Sequence, residues 1–143
     1  MPHDPERIAE VSAWLSKAAS DLRIARLGSD AKPPLNDQAV YHAHQAAEKA
    51  MKGYLAWNDK PFRKTHNLVE IGEACVAIDS SLEDLFRRAA TLTEYGWKFR
   101  YPGESSDPPT AEAAAAIDLS EEVVRAVLDR LPNAISAQIA KGD

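Results

Sequence analysis

A short polar stripe runs through an otherwise alanine-rich stretch, residues 36–57, and its side chains are of types that bind phosphate groups. It contains Gln45, Glu48, Lys49 and Lys52, and the two lysines are three residues apart. Side chains at this spacing project to one side of a helix, so Lys49 and Lys52 could hold phosphate oxygens as point charges. Gln45 both donates and accepts, so it could bond a base edge or a neighbouring helix. The alternative is a solvated face on which Lys52 pairs with Glu48, and the sequence leaves both open.

A second candidate is His66, which follows Thr65 at the predicted start of a helix. Helix N-termini present unpaired N–H groups and a partial positive charge, which favour anions. Arg63 and Lys64 come directly before His66 and add cationic side chains. The pattern therefore indicates an anion site. The alternative is that Thr65 only caps the helix and His66 hydrogen-bonds the central helix.

A third candidate is the pair Arg100 and Tyr101, which stands where a predicted helix ends before Pro102. The arginine fork suits a phosphate, and a tyrosine ring offers a face on which a base can stack. The structural alternative is that Arg100 bonds carbonyl groups or pairs with Glu94 or Glu48, while Tyr101 covers the core.

The sequence predicts neither a metal nor another cofactor. His42 and His44 are two residues apart, so on a helix they point to different sides, and His44 with Glu48 is at most half of a metal site. Cys75, the single cysteine, falls on the apolar row of its helix, where a buried thiol is inert.

Apolar residues recur at helical spacing along the chain, with no strand-like alternation. The spacing predicts an all-α fold, an up-and-down antiparallel helical bundle of four long helices plus one shorter helix. The predicted bundle occupies residues 1–132, and residues 133–143 form a C-terminal tail, frayed or in contact with a partner. Predicted helices begin with Asp4 as cap, with Asn36, with Thr65 as cap, with a Ser80–Glu83 capping box, and with Asp107 and Pro108. The predicted ends of the first four are Leu27, Trp57, Ile78 and Arg100, and the last helix runs to Leu131 before Pro132.

Composition excludes several classes of protein. The 143 residues suit one domain, and one cysteine fits a reducing cytosol without disulfides. There is no apolar run of about 18–20 residues, so no membrane span is predicted, and the acidic, polar start is unlike a secretion signal. The net charge of −5 argues against coating nucleic acid by charge alone. Residues 48–64 carry five basic against two acidic side chains, which suits a small anionic ligand or a short RNA contact.

Three segments together resemble one family. HAHQAAEKAMKGYL, KTHNL and FRYPG, in this order, are similar to the HEPN domain (higher eukaryotes and prokaryotes nucleotide-binding), and the likeness spans Trp14 to Leu131. The resemblance implies an all-α bundle, usually dimeric. In bacteria and archaea such domains are often encoded beside a minimal nucleotidyltransferase, as a toxin–antitoxin pair. Many members are metal-independent endoribonucleases with an R-x(4–6)-H motif, whose Arg and His act across a dimer interface.

The chain departs from that ribonuclease pattern, because no arginine lies five to seven residues before any of its histidines. No catalytic residue is therefore assigned, and a binding module is favoured over an enzyme. The predicted module is cytoplasmic and homodimeric, binds a nucleotide or RNA phosphate, and works with a nucleotidyltransferase partner. Replacing Lys49 and Lys52 together by alanine is expected to abolish binding without lowering thermal stability. The predicted ligand site comprises Gln45, Lys49, Lys52, His66, Arg100 and Tyr101.

Two alternatives stay open. One is an endoribonuclease with His66 as acid and base and Arg100 stabilising the developing charge. The other is a non-catalytic assembly subunit whose polar stripe only neutralises a partner.

Overall fold

Helices are the only regular elements in the described part of the chain, residues 4–103 and 106–142 of a computed structural model, with side chains described up to Ile139. The all-α fold is confirmed. Residues 1–3, 104, 105 and 143, which the predicted domain boundaries include, lie outside the described residues. The α-helices are α1 Pro5–Asp30, α2 Asn36–Trp57, α3 Leu68–Ile78, α4 Glu83–Ala89, α5 Thr110–Leu128 and α6 Asn133–Gly142; 3-10 helices span Ser80–Leu82 and Ala90–Gly96.

Helix α2 is the centre of the bundle. It packs most extensively against α1 and next against α5, and it also contacts α3 and the second 3-10 helix. Its small residues permit this crowding. A Cβ added at Gly53 would lie 2.5 Å from Leu15 Cδ2 and 3.1 Å from Trp14 Cβ, so α1 approaches α2 more closely there than an alanine would allow. Gly53 continues a row of small residues spaced three or four positions apart along α2. The other members of this row, all buried, are Ala39, Ala43, Ala46 and Ala50.

The first two helices begin close to their predicted starts. Asp4 caps α1 as predicted, its side chain accepting a hydrogen bond from Glu6 N at 2.9 Å. The helix continues past Leu27 because Gly28 is helical and buried, and its carbonyl accepts the Leu35 N–H at 2.8 Å. Asn36 is not the cap of α2. Its amide instead donates to Pro108 O at 3.2 Å and Thr110 Oγ1 at 3.1 Å, which ties the start of α2 to that of α5.

Two predicted caps are wrong by a few residues. Helix α3 begins at Leu68, and Asn67 rather than Thr65 is its cap, with the Asn67 side chain accepting from Val69 N at 2.9 Å. Ser80 does not form a capping box, because Asp79 accepts from Ser81 N at 3.0 Å. In both places an Asn or Asp side chain accepts a hydrogen bond from the backbone N–H two residues later. This local hydrogen bond forms in place of the predicted cap.

The predicted fourth long helix, residues 80–100, is divided. A 3-10 turn, the short α4 and a second 3-10 helix replace it, and the second 3-10 helix ends at Gly96 beside α2. A Cβ at Gly96 would lie 2.9 Å from the buried His44 ring, so the chain passes α2 at close range there. Helical periodicity alone does not distinguish a continuous α-helix from such a series of short turns.

Residues 133–142, expected as a tail, form helix α6, which contacts α1. Ile135 and Ile139 are buried, and the Ile135 N–H bonds Pro132 O at 2.9 Å in the first turn. The domain boundary at residue 132 stays a prediction. Among the residues described, no helix combines the length and apolar character that crossing a membrane requires.

Asp79 joins the turn before α4 to the end of α5. Its Oδ1 accepts from Ser81 Oγ at 2.6 Å, and its Oδ2 accepts from Arg130 Nε at 2.7 Å. These bonds, with that from Ser81 the strongest influence and that from Arg130 the next, lower the pKa of Asp79 to about 2.

This shift predicts a dependence of stability on acid. An unfolded aspartate titrates near 3.9, so the contribution of Asp79 is complete above about pH 4 and is lost as the pH falls toward 2. Asp79→Asn should therefore be less stable than the parent at pH 6, and the difference should shrink between about pH 4 and pH 2. Urea unfolding across this pH range measures it, and a constant difference would contradict the assignment.

Candidate functional site

In the structure, Tyr41 extends the polar stripe of α2, and Lys49 lies to one side of the line that its other members form. Tyr41, Gln45, Glu48 and Lys52 follow one another at steps of four, three and four residues, which places them on one line of the helix surface. His42 and Lys49 lie on the flank toward α1, and both contact Asp21 of that helix. His44 lies on the opposite flank, against Gly96 and the segment that precedes α3.

Glu48 is the centre of the first cluster. It is 3 % exposed, and its two oxygens are divided between His66 Nδ1 at 2.8 Å and Lys52 Nζ at 3.0 Å. Lys52 is 7 % exposed, and its ammonium lies 6.0 Å from the centroid of Trp14 and 5.8 Å from that of Phe62. The predicted Lys52–Glu48 pair is confirmed, but on a buried rather than a solvated face. A buried ion pair is costly to break, so the double replacement of Lys49 and Lys52 should lower stability as well as change the site.

His66 is the exposed member of this cluster, with 76 % of its side chain accessible. A carboxylate only accepts, so Nδ1 carries the proton that bonds Glu48, and Nε2 is the ring nitrogen left for other partners. The prediction that His66 hydrogen-bonds the central helix is therefore confirmed. Helix α3 starts two residues later, so His66 precedes its cap rather than opening the helix.

His44 hydrogen-bonds the backbone of His66. Its side chain is fully buried, and its Nε2 donates to the His66 carbonyl oxygen at 3.1 Å. Burial is the main cause that lowers the pKa of His44, so the ring is neutral at pH 7. Its Nδ1 is then an acceptor, 3.0 Å from Gln45 Oε1. That contact becomes a hydrogen bond when the Gln45 amide is turned by 180° so that its NH₂ group donates.

Asp21 is the centre of the second cluster. This α1 residue is 5 % exposed and accepts from Lys49 Nζ at 2.6 Å and from His42 Nδ1 at 2.8 Å. Lys49 therefore joins α2 to α1 and is not an unpaired cation. Asp21 was not predicted as a site residue. Its spacing of three residues from Ala18 and four from Ala25, both apolar and buried, was a signal that this carboxylate faces a neighbouring helix.

Arg100 contacts the stripe from the other end. Its guanidinium carbon lies 4.7 Å from the centroid of Tyr41, a second residue that the sequence did not single out. The suggested partners are used elsewhere, since Glu94 pairs with Lys98 and Glu48 with Lys52. Within residues 4–103 and 106–139, Arg100 has no carboxylate partner.

Tyr101 does not cover the core, because 74 % of it is exposed. Trp97, four residues earlier in the chain, is 64 % exposed, whereas Trp14 is partly buried against Phe62. Two exposed aromatic side chains therefore stand on either side of Arg100 in the sequence.

Two exposed groups thus mark the ends of the α2 stripe. Arg100 lies over Tyr41 and His66 bonds Glu48, seven residues further along the same face, which is about 10 Å at 1.5 Å per residue. Gln45 lies between them. Lys49 is displaced toward α1 and Lys52 lies beneath the surface, so the six predicted residues do not have equal access to a ligand.

The thiol of Cys75 is buried, and burial raises its pKa to about 12. Its Sγ–H donates to the Met51 carbonyl at 3.5 Å. The predicted buried position is confirmed. In the described part of the chain, no group of three or more His, Cys, Asp or Glu side chains is arranged to hold a metal ion.

The family model for the HEPN domain matches residues 11–131 of this sequence. The chain therefore belongs to the HEPN domain family, as the resemblance of its three segments predicted. At the level of the family it is a nucleotide- or RNA-related module. Neither a curated protein nor a solved structure matches the chain.

Proposed function

We propose that this chain binds a phosphate of a nucleotide or of RNA on the α2 face between Arg100 and His66. The observation that carries the proposal is Arg100, an exposed guanidinium placed on the Tyr41 ring with no carboxylate partner among the described residues. A ring beneath the guanidinium orients its plane and leaves the N–H groups at its edge for an anion. These planar donors match two phosphate oxygens at once.

His66 supplies the second contact. Glu48 holds the ring through Nδ1, so Nε2 is directed away from the buried carboxylate. A protonated Nε2 donates to a phosphate oxygen, and Lys64 adds an exposed cation two residues earlier. The distance of about 10 Å along α2 suits a phosphate at one end and a sugar and base, or a second phosphate, at the other.

The base would be bound by uncharged side chains, through stacking and hydrogen bonds. Tyr101 is exposed enough to stack on a base, a contact that tolerates any of the four bases. Gln45, between the two ends, bonds a base edge or ribose hydroxyl through its amide. In this arrangement Lys49 neutralises Asp21 and Lys52 neutralises Glu48, and the positive potential at the surface comes from Arg100 and Lys64.

Single replacements at the two ends test the proposal. Arg100→Ala and His66→Ala should each weaken binding of ATP or of a short single-stranded RNA by about tenfold or more, since a charge-assisted hydrogen bond contributes about 1.5–3 kcal/mol. The thermal midpoint should change little in Arg100→Ala, because that side chain is exposed, whereas His66→Ala also removes a hydrogen bond from the buried Glu48 and should lower it. Titration calorimetry at two salt concentrations is the measurement. Arg87→Ala, which removes an exposed arginine of α4, is the matched control, and unchanged affinity in both site variants would refute the assigned surface.

We further propose that the module is homodimeric and works with a minimal nucleotidyltransferase partner in a toxin–antitoxin-like pair. Support for self-association comes from Trp97, since an exposed tryptophan provides the apolar area that interfaces use. Light scattering should give the mass of two chains for the parent and of one chain for Trp97→Ser. Co-expression with the product of an adjacent nucleotidyltransferase gene should yield a complex of fixed stoichiometry. Recovery of the two proteins as separate chains would contradict the proposed partnership.

One observation favours a second function, metal-independent RNA cleavage. A buried carboxylate bonded to one ring nitrogen while the other is exposed is the arrangement that orients a catalytic imidazole. His66 Nε2 would accept the proton of a ribose 2′-hydroxyl, and Arg100 would stabilise the charge on the phosphate. Structured RNA incubated with the protein and a chelator should then be cut, and His66→Ala should abolish the cutting. Intact RNA at high protein concentration, or cleavage that survives this replacement, would leave the binding function alone.

A further inference from the structure

A groove on the side of α1 away from the α2 stripe has an unusual combination of an apolar floor and an arginine rim. It has a volume of about 450 Å³ and lies between α1 and α5, with Ile139 of α6 also in its lining. Its floor is apolar, and Leu22, Val124 and Leu128 contribute to it. The volume lies within the range typical of small-molecule sites.

The rim carries more positive charge than its carboxylates neutralise. Arg23, Arg26 and Arg125 line the groove, and Glu121 is the one carboxylate among the lining residues. Glu121 pairs with both Arg26 and Arg125. Arg23 has no ion-pair partner in the part of the chain that the structure describes. A surplus of positive charge in a chain of net charge −5 favours an occupant with a negative group.

The shape of the groove indicates which kind of occupant. The lining residues span residues 19–26 of α1 and 121–128 of α5, about 10 Å on each helix. Packed helices are separated by a comparable distance, so the slot between their surfaces is narrow. Ile139 of α6 also lines the groove, and a groove about 10 Å long among three helices leaves little room for a partner helix that is itself about 10 Å wide. An extended hydrocarbon chain fits a slot of this kind.

We propose that this groove binds a single-chain carboxylate, with the hydrocarbon tail along the apolar floor and the carboxylate on Arg23. Arg23 is the natural anchor because its guanidinium is not already paired, and an arginine fork holds a carboxylate through two parallel hydrogen bonds. The site is separate from the α2 stripe, so its occupancy does not depend on the proposed nucleotide function.

The molecule contains an internal comparison. A second apolar groove of about 390 Å³ lies between α3 and α4, with Phe86 and Val76 in its lining. Its rim holds Glu73, Glu83 and Arg87, and Arg87 pairs with Glu83. If apolar area alone decided binding, an amphiphile would occupy both grooves. The proposal requires a carboxylate to select the first.

The test uses decanoate below its micelle-forming concentration, with calorimetry for affinity and ¹⁵N-resolved NMR shifts for location. Binding should saturate at one decanoate per chain, with shifts confined to α1, α5 and α6. Each methylene removed, as in octanoate, should weaken binding about three- to fourfold per carbon. Decyltrimethylammonium, with the same tail and the opposite charge, should not bind. Equal binding of this cation, shifts centred on α3 and α4, or no saturable binding would overturn the proposal.

Matched variants locate the anchor. Arg23→Gln should weaken decanoate binding at least fivefold, whereas Lys17→Gln, the same charge change on an exposed position of α1 outside the groove, should not. Ala19→Phe places a ring in the groove and should abolish binding in a chain whose helical content is unchanged. An equal loss in the Lys17 and Arg23 variants would mean that net charge, not the groove, attracts the anion.

Discussion

Replacing Glu48 by alanine is expected to lower the free energy of unfolding by about 3–5 kcal/mol, the range for removing one partner of a buried ion pair. The reason is that Lys52, 7 % exposed, would keep its ammonium between two aromatic rings with no carboxylate to balance it. His66 would lose its anchor in the same step, so phosphate binding should also weaken. Urea unfolding followed by circular dichroism measures the first effect, and calorimetry with ATP the second.

Two further variants separate charge from shape. Glu48→Gln keeps the volume and the bond to His66 but removes the negative charge, so it should still destabilise, though less than alanine. Glu48→Leu combined with Lys52→Met replaces both charges by apolar groups of similar size and should restore much of the lost stability. If the Glu48→Ala variant unfolded at the same urea concentration as the parent, the ion pair would be of no energetic consequence.

Gly53→Ala is expected to destabilise the bundle by about 1–3 kcal/mol, the usual cost of overpacking a core. The added methyl would meet Leu15 Cδ2 at 2.5 Å and Trp14 Cβ at 3.1 Å. Leu15 is fully buried, so moving its side chain away requires neighbouring core residues to move as well. This effect has the opposite sign to intrinsic helix propensity, which favours alanine over glycine by about 1 kcal/mol.

Gly72→Ala is the matched control within the same fold. This glycine is buried in α3, but an added Cβ would meet Phe86 Cβ at 3.7 Å, an ordinary contact. The propensity gain should therefore dominate, and the variant should be as stable as the parent or more stable by up to about 1 kcal/mol. Chemical denaturation of the pair is decisive: two changes of equal sign would show that the approach of α1 to Gly53 does not limit packing.

Local pattern was sufficient for the long helices. The repeat of apolar residues from Val11 to Ala25 and the alanine row of α2 both lie on buried faces, as their spacing predicted. The spacing of apolar residues was insufficient where short-range hydrogen bonds determine the residue at which a helix begins. Asn67 and Asp79 each bond an amide two residues away, and these bonds fix the starts of α3 and of the turn before α4.

In the candidate site, the sequence predicted the types of residue but not the partners with which they interact. Sequence identified Lys49, Lys52, His66 and Arg100 as the cations near α2. It did not reveal that Asp21, from another helix, neutralises Lys49, because that contact joins residues 28 positions apart. The exposure of a cation depends on such distant partners. For this reason Arg100 and His66, rather than the two lysines, emerge as the groups that can meet a ligand.

The bond between Glu48 and His66 has a consequence for the entropy of association. An exposed histidine normally samples several rotamers, and immobilising a side chain on binding costs about 0.5–1.5 kcal/mol. Here the buried carboxylate selects the ring orientation while the chain folds. The imidazole is therefore preorganised, and a guest that meets Nε2 does not have to restrict it again.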